Sequence, residues 1–298
     1  MKKKILILGL VAALTLALFG CAKDEAKSGG TIAVGSKNFT ENIIIAHMMA
    51  DLVEAHTDLK VDKKVNLGGS NVAWTALESN DIQMYPDYTG TIVANYYQEE
   101  TGKSEETLAK TKELTAGDKL KALEPIGFNN TYTLAVTQET AAKYNLNTYS
   151  DLAKVANDLI MGCEFEFIDR PDGYPGLQKV YNLNFKEVKG MDHGIMFRAL
   201  NEDEVDVIDA YTTDGQIKVF DLKVLQDDKE FFPPYDILPL VRQDTLDKYP
   251  EIEGILNKLA GKIDEKTMQE LNALVDDQGM KEEVVAHDFL VKAGLIEK

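Results

Sequence analysis

The sequence predicts an α/β protein of two similar units that face each other across a cleft. Three observations lead there. Short β-rich runs alternate with helical stretches, one helix-turn-strand unit recurs later in the chain, and the composition is that of a folded protein, with 298 residues at 44% hydrophobic and 28% charged. At about 150 residues per domain, the length is itself a prior for two domains.

Taken in order, residues 1–20 read as a lipoprotein signal peptide. Lys2, Lys3 and Lys4 precede an apolar run from Ile5 to Phe19, which is too short to span a bilayer comfortably. Leu18, Phe19, Gly20 and Cys21 resemble a lipobox, so Cys21 is expected to carry the lipid. An ordinary secretory leader is the alternative, and it leaves Cys21 as an odd exported thiol. Residues 21–30 then form a lipidated tether, because Ala22 to Gly30 offers no apolar anchor. Removing the three lysines of the leader takes the net charge from −18 to −21. So acidic a surface repels phosphate backbones, and nucleic-acid binding is not expected.

From Thr31 the runs are TIAVG, an amphipathic helix through IIIAHMMADLVEAH, VDKKVNL, an amphipathic helix through NVAWTALES, and DIQMY. The second set is TYTLAVT, a helix around ETAAKY, LIMGCEFEFI, the helices GLQKVYN and GIMFRAL, and EVDVIDAY. A third block holds FFPPYDILPLVR and amphipathic helices beyond Pro250. This alternation predicts largely parallel sheets. Residues 71–89, NVAWTALESNDIQMYPDYT, align without a gap to 194–212, GIMFRALNEDEVDVIDAYT. Each copy runs helix, acidic turn, strand, then a tyrosine at the strand's carboxyl end, where open α/β sheets bind ligands.

Catalytic and metal motifs are missing from the sequence. The histidines, His47, His56, His193 and His287, have no HExxH spacing, neither cysteine has a CxxC partner, and no GxxxxGK[ST], GxGxxG or GxSxG occurs. No cofactor, metal or enzymatic activity is expected. Cys163 reads as a small apolar strand residue. The acids Glu164, Glu166, Asp169 and Asp172 leave a glycosidase-like carboxylate pair as a rival, but EFEF reads as a strand with one solvated face.

What stands out is tyrosine beside turn residues. Tyr88, Tyr132, Tyr211 and Tyr235 come from four separate segments. Each taken alone is a half-buried packing residue; together they can line a cleft. Their ring faces suit a quaternary ammonium, which has no proton to donate and is held by the ring quadrupole, worth about 0.5–2 kcal/mol per desolvated ring.

GSKNFTE at 35–41, YPDYTGT at 85–91, RPDGYPGL at 170–177, AYTTDGQI at 210–217 and DDKEFFPPY at 227–235 resemble the substrate-binding lipoproteins of osmoprotectant ABC importers, the glycine betaine, carnitine and choline binding proteins. The resemblance implies a two-lobed, periplasmic-binding-protein-like (Venus flytrap) fold with the ligand cleft between lobes. It places lobe 1 at 31–128 and 232–298 and lobe 2 at 129–231. It implies a cage of Tyr88, Tyr132, Tyr211 and Tyr235, and a carboxylate clamp of Lys37, Thr91 and Arg170. Asn130 falls where a backbone carbonyl faces the methylated nitrogen, in place of the Asp of several relatives. Asn42 stands where many relatives have Gln, and no ligand contact is expected of it.

A betaine has a cation at one end and a carboxylate at the other, which Arg170 can grip as a fork while Lys37 adds a point charge. Choline has no carboxylate, so unpaired cations at 37 and 170 argue against it; salt bridges to nearby acids are the other reading of both residues. Ergothioneine shares the two-ended logic. The implied partners are an ABC permease and its ATPase, with a monomeric binding protein anchored through Cys21 to the outer face of the bacterial plasma membrane. A sensing module feeding a receptor is the remaining rival, and it would usually carry a transmembrane segment after the cleft.

Overall fold

The computed structural model describes residues 29–297. The signal peptide, Cys21 and nearly all of the tether expected at 21–30 lie outside the described residues.

Ten short strands form among the described residues: β1 (Thr31–Gly35), β2 (Lys60–Lys64), β3 (Met84–Tyr88), β4 (Leu120–Ala122), β5 (Tyr132–Val136), β6 (Ile160–Glu164), β7 (Glu187–Met191), β8 (Val207–Tyr211), β9 (Lys223–Val224) and β10 (Ile237–Arg242). They sort into two sheets of the same design, β2-β1-β3-β10-β4 and β7-β6-β8-β5-β9. Each sheet carries helices and forms one lobe.

The sheets are mixed rather than largely parallel. β1 runs parallel to β2 and β3, whereas β10 runs antiparallel to β3 and β4. Likewise β6 is parallel to β7 and β8, and β5 antiparallel to β8 and β9. The reason is connectivity. β5 and β10 are the strands by which the chain enters each sheet from the other lobe. They start at the cleft, opposite the carboxyl ends of β8 and β3, with Tyr132 beside Tyr211 and Ile237 beside Tyr88. No crossover helix is needed for such an entry.

The sequence repeat is a structural one. Helix Ser70–Glu78 with β3 and helix His193–Asn201 with β8 share their bounds at the repeat's offset. Even the turns agree. Asn80 and Asp203 both hold left-handed backbone, at φ 66° and 58°, a conformation these short polar side chains tolerate.

Two further sequence expectations change. The helix Thr40–His56 was expected to be amphipathic, yet every residue from Glu41 to Val53 except Asp51 is buried. Helices Glu251–Leu256, Glu265–Asp276 and Glu282–Lys292 pack over it and cover the face it turns away from the sheet. The strand read through LIMGCEFEFI stops at Glu164, and Glu166–Ile168 is a 3₁₀ turn. The turn breaks the two-residue alternation. It leaves Phe165 61% exposed and turns Glu166 inward. Cys163 is fully buried in β6, as its apolar setting predicted.

Two segments cross between the lobes, 123–131 and 225–236. They run side by side, with Asn129 bridged to Asp236, the Asn130 N–H donating to the Tyr235 carbonyl at 3.0 Å, and the Tyr235 N–H donating to Asn129 Oδ1 at 3.0 Å. Gly127 lies within the first crossing at φ 131°, and a Cβ there would lie 2.7 Å from the Ile263 carbonyl oxygen. No helix among the described residues is long and apolar enough to cross a membrane.

Gly127→Ala is expected to destabilise the protein by about 1–3 kcal/mol, the cost of a strained φ with a backbone clash. Chemical denaturation measures it, and an unchanged midpoint would mean that this crossing relaxes freely.

Candidate functional site

The eight residues singled out from the sequence come together. Lys37, Tyr88, Thr91, Asn130, Tyr132, Arg170, Tyr211 and Tyr235 line one cavity between the lobes, joined by Phe39, Ser70 and Glu166. The fold explains the convergence. Lys37 and Phe39 lie in the loop after β1, Tyr88 and Tyr211 end β3 and β8, Tyr132 opens β5, and Asn130 and Tyr235 lie in the paired crossings. Asn42 has a supporting role, since its Oδ1 accepts the Lys37 N–H at 2.7 Å and its Nδ2 donates to the Pro86 carbonyl at 2.9 Å.

The rings lie against one another. Tyr132 is 5.0 Å from Tyr211 and 5.5 Å from Tyr235, centroid to centroid, and Phe39 stacks on Tyr211 at 5.3 Å. The cavity left among them is about 20 Å³, room for about one water molecule. A trimethylammonium group therefore needs the lobes or the rings to part.

Three of the four tyrosines are aimed by buried acids. The Tyr88 hydroxyl donates to Glu41 at 2.7 Å, that of Tyr235 to Asp172 at 2.7 Å, and that of Tyr211 to Glu164. Burial pushes all these phenols far above their ordinary range, so they stay neutral donors.

Lys37 and Arg170 are not free cations. The Lys37 ammonium is 2.6 Å from Asp87 Oδ1, with both side chains almost fully buried. Arg170 has five N–H donors, and each has a partner. Nε donates to Asp172 Oδ1 (2.9 Å), and NH2 to Asp172 Oδ2 (2.5 Å) and Thr91 Oγ1 (3.2 Å). NH1 donates to Ser70 Oγ (3.0 Å) and Glu166 Oε1 (3.1 Å). The sequence argument against choline assumed unpaired cations, and these pairs remove that premise.

The acids thought to lie on a solvated strand face inward. Glu164 is buried against Tyr211, and burial raises its pKa, with His193 opposing the rise and Glu166 adding to it. His193 stacks on Tyr211 at 4.9 Å and approaches Asp214 Oδ1 at 2.9 Å through Nε2. Burial alone would lower its pKa, but the Asp214 charge and hydrogen bond, with Glu164 behind them, hold it up to about 10. Of the partners missed from the sequence, Glu41, Asp87, Asp172 and Phe39 sit inside the quoted motifs, where the lysine, arginine and tyrosines drew the attention, whereas Ser70 and Glu166 lie outside them.

Glu41 joins the lobes from the first turn of helix Thr40–His56. Its carboxyl accepts from Tyr88, from Asn130 Nδ2 (2.7 Å) and from the hydroxyl of Thr213 (2.6 Å) in the other lobe. The side chain of Asn130 is thus engaged with Glu41. Burial outweighs these donors and raises the Glu41 pKa from 4.5 to about 7. A raised acid pKa adds stability that is present below pH 4.5 and is lost as pH climbs through 7. Glu41→Gln should flatten the fall in melting temperature over that window, and a slope equal to that of the native chain would show that Glu41 does not titrate there.

Residues 30–292 match the family described as the substrate binding domain of ABC-type glycine betaine transport system. The chain is 38% identical to the carnitine transport binding protein OpuCC of Listeria monocytogenes, over 100% of this chain and 99% of that protein. It is 35% identical to the ergothioneine transport permease/ergothioneine binding protein EgtU of Helicobacter pylori, over 89% of this chain and 48% of that protein. A crystal structure described as a glycine betaine/carnitine/choline ABC transporter superposes with a TM-score of 0.70 at 36% identity, covering 89% of this chain and 99% of that one. With the family matched over nearly all of the described residues, the chain belongs to the substrate-binding domains of ABC-type glycine betaine transport systems, which are binding proteins and not enzymes.

Proposed function

We propose that this chain captures a quaternary ammonium compound that also carries a carboxylate, and delivers it to an ABC permease and its ATPase. The observation that carries the reading is the convergence of four tyrosines and two cations from separate segments on one cavity between two lobes. The names of two relatives point the same way, since carnitine and ergothioneine are both trimethylammonium acids. In this reading Tyr88, Tyr132, Tyr211 and Tyr235, with Phe39, hold the cation. Arg170, Thr91 and Lys37 serve the carboxylate, and Asn130 offers its backbone carbonyl to the methyl groups.

The lobes hinge at the two crossings, and closure makes the surface that the permease recognises. Lys37, Tyr88 and Thr91 come from one lobe and Tyr132, Arg170 and Tyr211 from the other, so only closure completes the site. We assign the lobes to 31–128 with 232–298 and to 129–231, the lipid to Cys21, and the location to the outer face of the plasma membrane, as a monomer. Choline remains a second reading, because the ion pairs Lys37–Asp87 and Arg170–Asp172 take away the free positive charge that would repel it.

A thermal-unfolding panel of glycine betaine, carnitine, proline betaine, ergothioneine and choline is expected to show stabilisation by one or more of the carboxylate-bearing compounds. Ligand at 100 times its dissociation constant adds about 2.7 kcal/mol. Stabilisation by choline alone would refute the clamp and keep the cage. Tyr211→Ala should weaken every quaternary ammonium ligand about tenfold or more, while Tyr211→Phe, which keeps the ring face, should lose much less. Equal losses in titration calorimetry would make the hydroxyl, tied to Glu164, the operative group.

A further inference from the structure

Two cavities meet at Glu166. On one side is the tyrosine-lined cavity of about 20 Å³, and on the other an outer cavity of about 310 Å³ bounded by Asn38, Gly69, Phe165 and His193. Glu166 lines both. Its carboxylate reaches across the lobes, accepting the Ser70 N–H at 2.5 Å, the Ser70 hydroxyl at 2.9 Å and Arg170 NH1 at 3.1 Å.

These donors, two from Ser70 and one from Arg170, are the ones that a ligand's carboxylate would need beside Arg170. The rest of the guanidinium is committed. Asp172 takes Nε and NH2 side by side and also accepts the Tyr235 hydroxyl. The two acids differ in freedom: the Asp172 side chain is 3% exposed, the Glu166 side chain 19%. Asp172 is enclosed, whereas Glu166 stands on a short turn with the outer cavity beside it. A second carboxylate cannot join Glu166 on the same donors, because like charges in contact in a desolvated site repel strongly.

We propose that Glu166 is an internal stand-in for the ligand's carboxylate and a determinant of specificity. A carboxylate-bearing ligand takes over Ser70 and Arg170 and drives Glu166 into the outer cavity, which joins the two spaces and makes the room that the cage lacks. A cation without a carboxylate leaves Glu166 where it is and gains its negative charge as a neighbour. His193, held charged by Asp214, lines the outer cavity and offsets the acids Glu164 and Asp192 that line it too. This inference rests on the reading of the chain as a quaternary ammonium binder.

Titration calorimetry on the purified full chain, with glycine betaine, carnitine and choline, tests it in Glu166→Gln and Glu166→Ala. Gln keeps the shape and loses the charge; Ala removes the competitor altogether. Both variants are expected to bind the betaine ligands about tenfold tighter and choline no tighter, a tenfold change being about 1.4 kcal/mol. Unchanged or weaker betaine binding in both variants, with the native chain binding betaine, overturns the role of Glu166 and leaves the ligand class standing. A native chain that binds none of the three ligands overturns both.

Discussion

The guanidinium of Arg170 is the constraint on which the site depends. It is almost fully buried, and all five of its donors are used, by Asp172 and Glu166 from its own lobe and by Ser70 and Thr91 from the other. A buried charge is tolerable only with such complete pairing, and removing one partner strands the rest. Burial works against the charge, yet Asp172, Tyr132 and Glu166 hold the Arg170 pKa even above its ordinary value. The same group therefore joins the lobes, lies 5.5 Å over the Tyr132 ring, and leaves an anion only those donors that Glu166 can vacate.

Around it the site is built of phenol and carboxylate pairs. Tyr88 with Glu41, Tyr211 with Glu164 and Tyr235 with Asp172 each turn a hydroxyl away into a buried acid. The ring faces are left for the cavity. A phenol that donates to a carboxylate keeps its proton, and its ring face keeps the negative potential that attracts a cation. The acids thus serve the aromatic rings.

Much of this was legible in the chain. The repeat of 71–89 at 194–212 foretold two equivalent units with an acidic turn in each, and tyrosines beside turns marked the cleft. The carboxylates were harder to read. EFEF obeys the two-residue period of a strand, and only the 3₁₀ turn after Glu164 shows that Glu166 points inward. Glu41 opens a helix, where an acid is expected for local reasons, so its position between the lobes gave no signal. The central helix looked amphipathic because the helices that bury its second face lie more than 190 residues further along the chain.

By itself the sequence determined the alternation of strands and helices, the two-unit plan and the residue types of the site, because these follow from local periodicity and from motifs. Tertiary structure alone decided the mixed strand directions, the pairing of both cations and the inward turn of Glu166. Each of those depends on which distant segments meet at the two crossings, and charge pairing is a property of that meeting rather than of spacing along the chain.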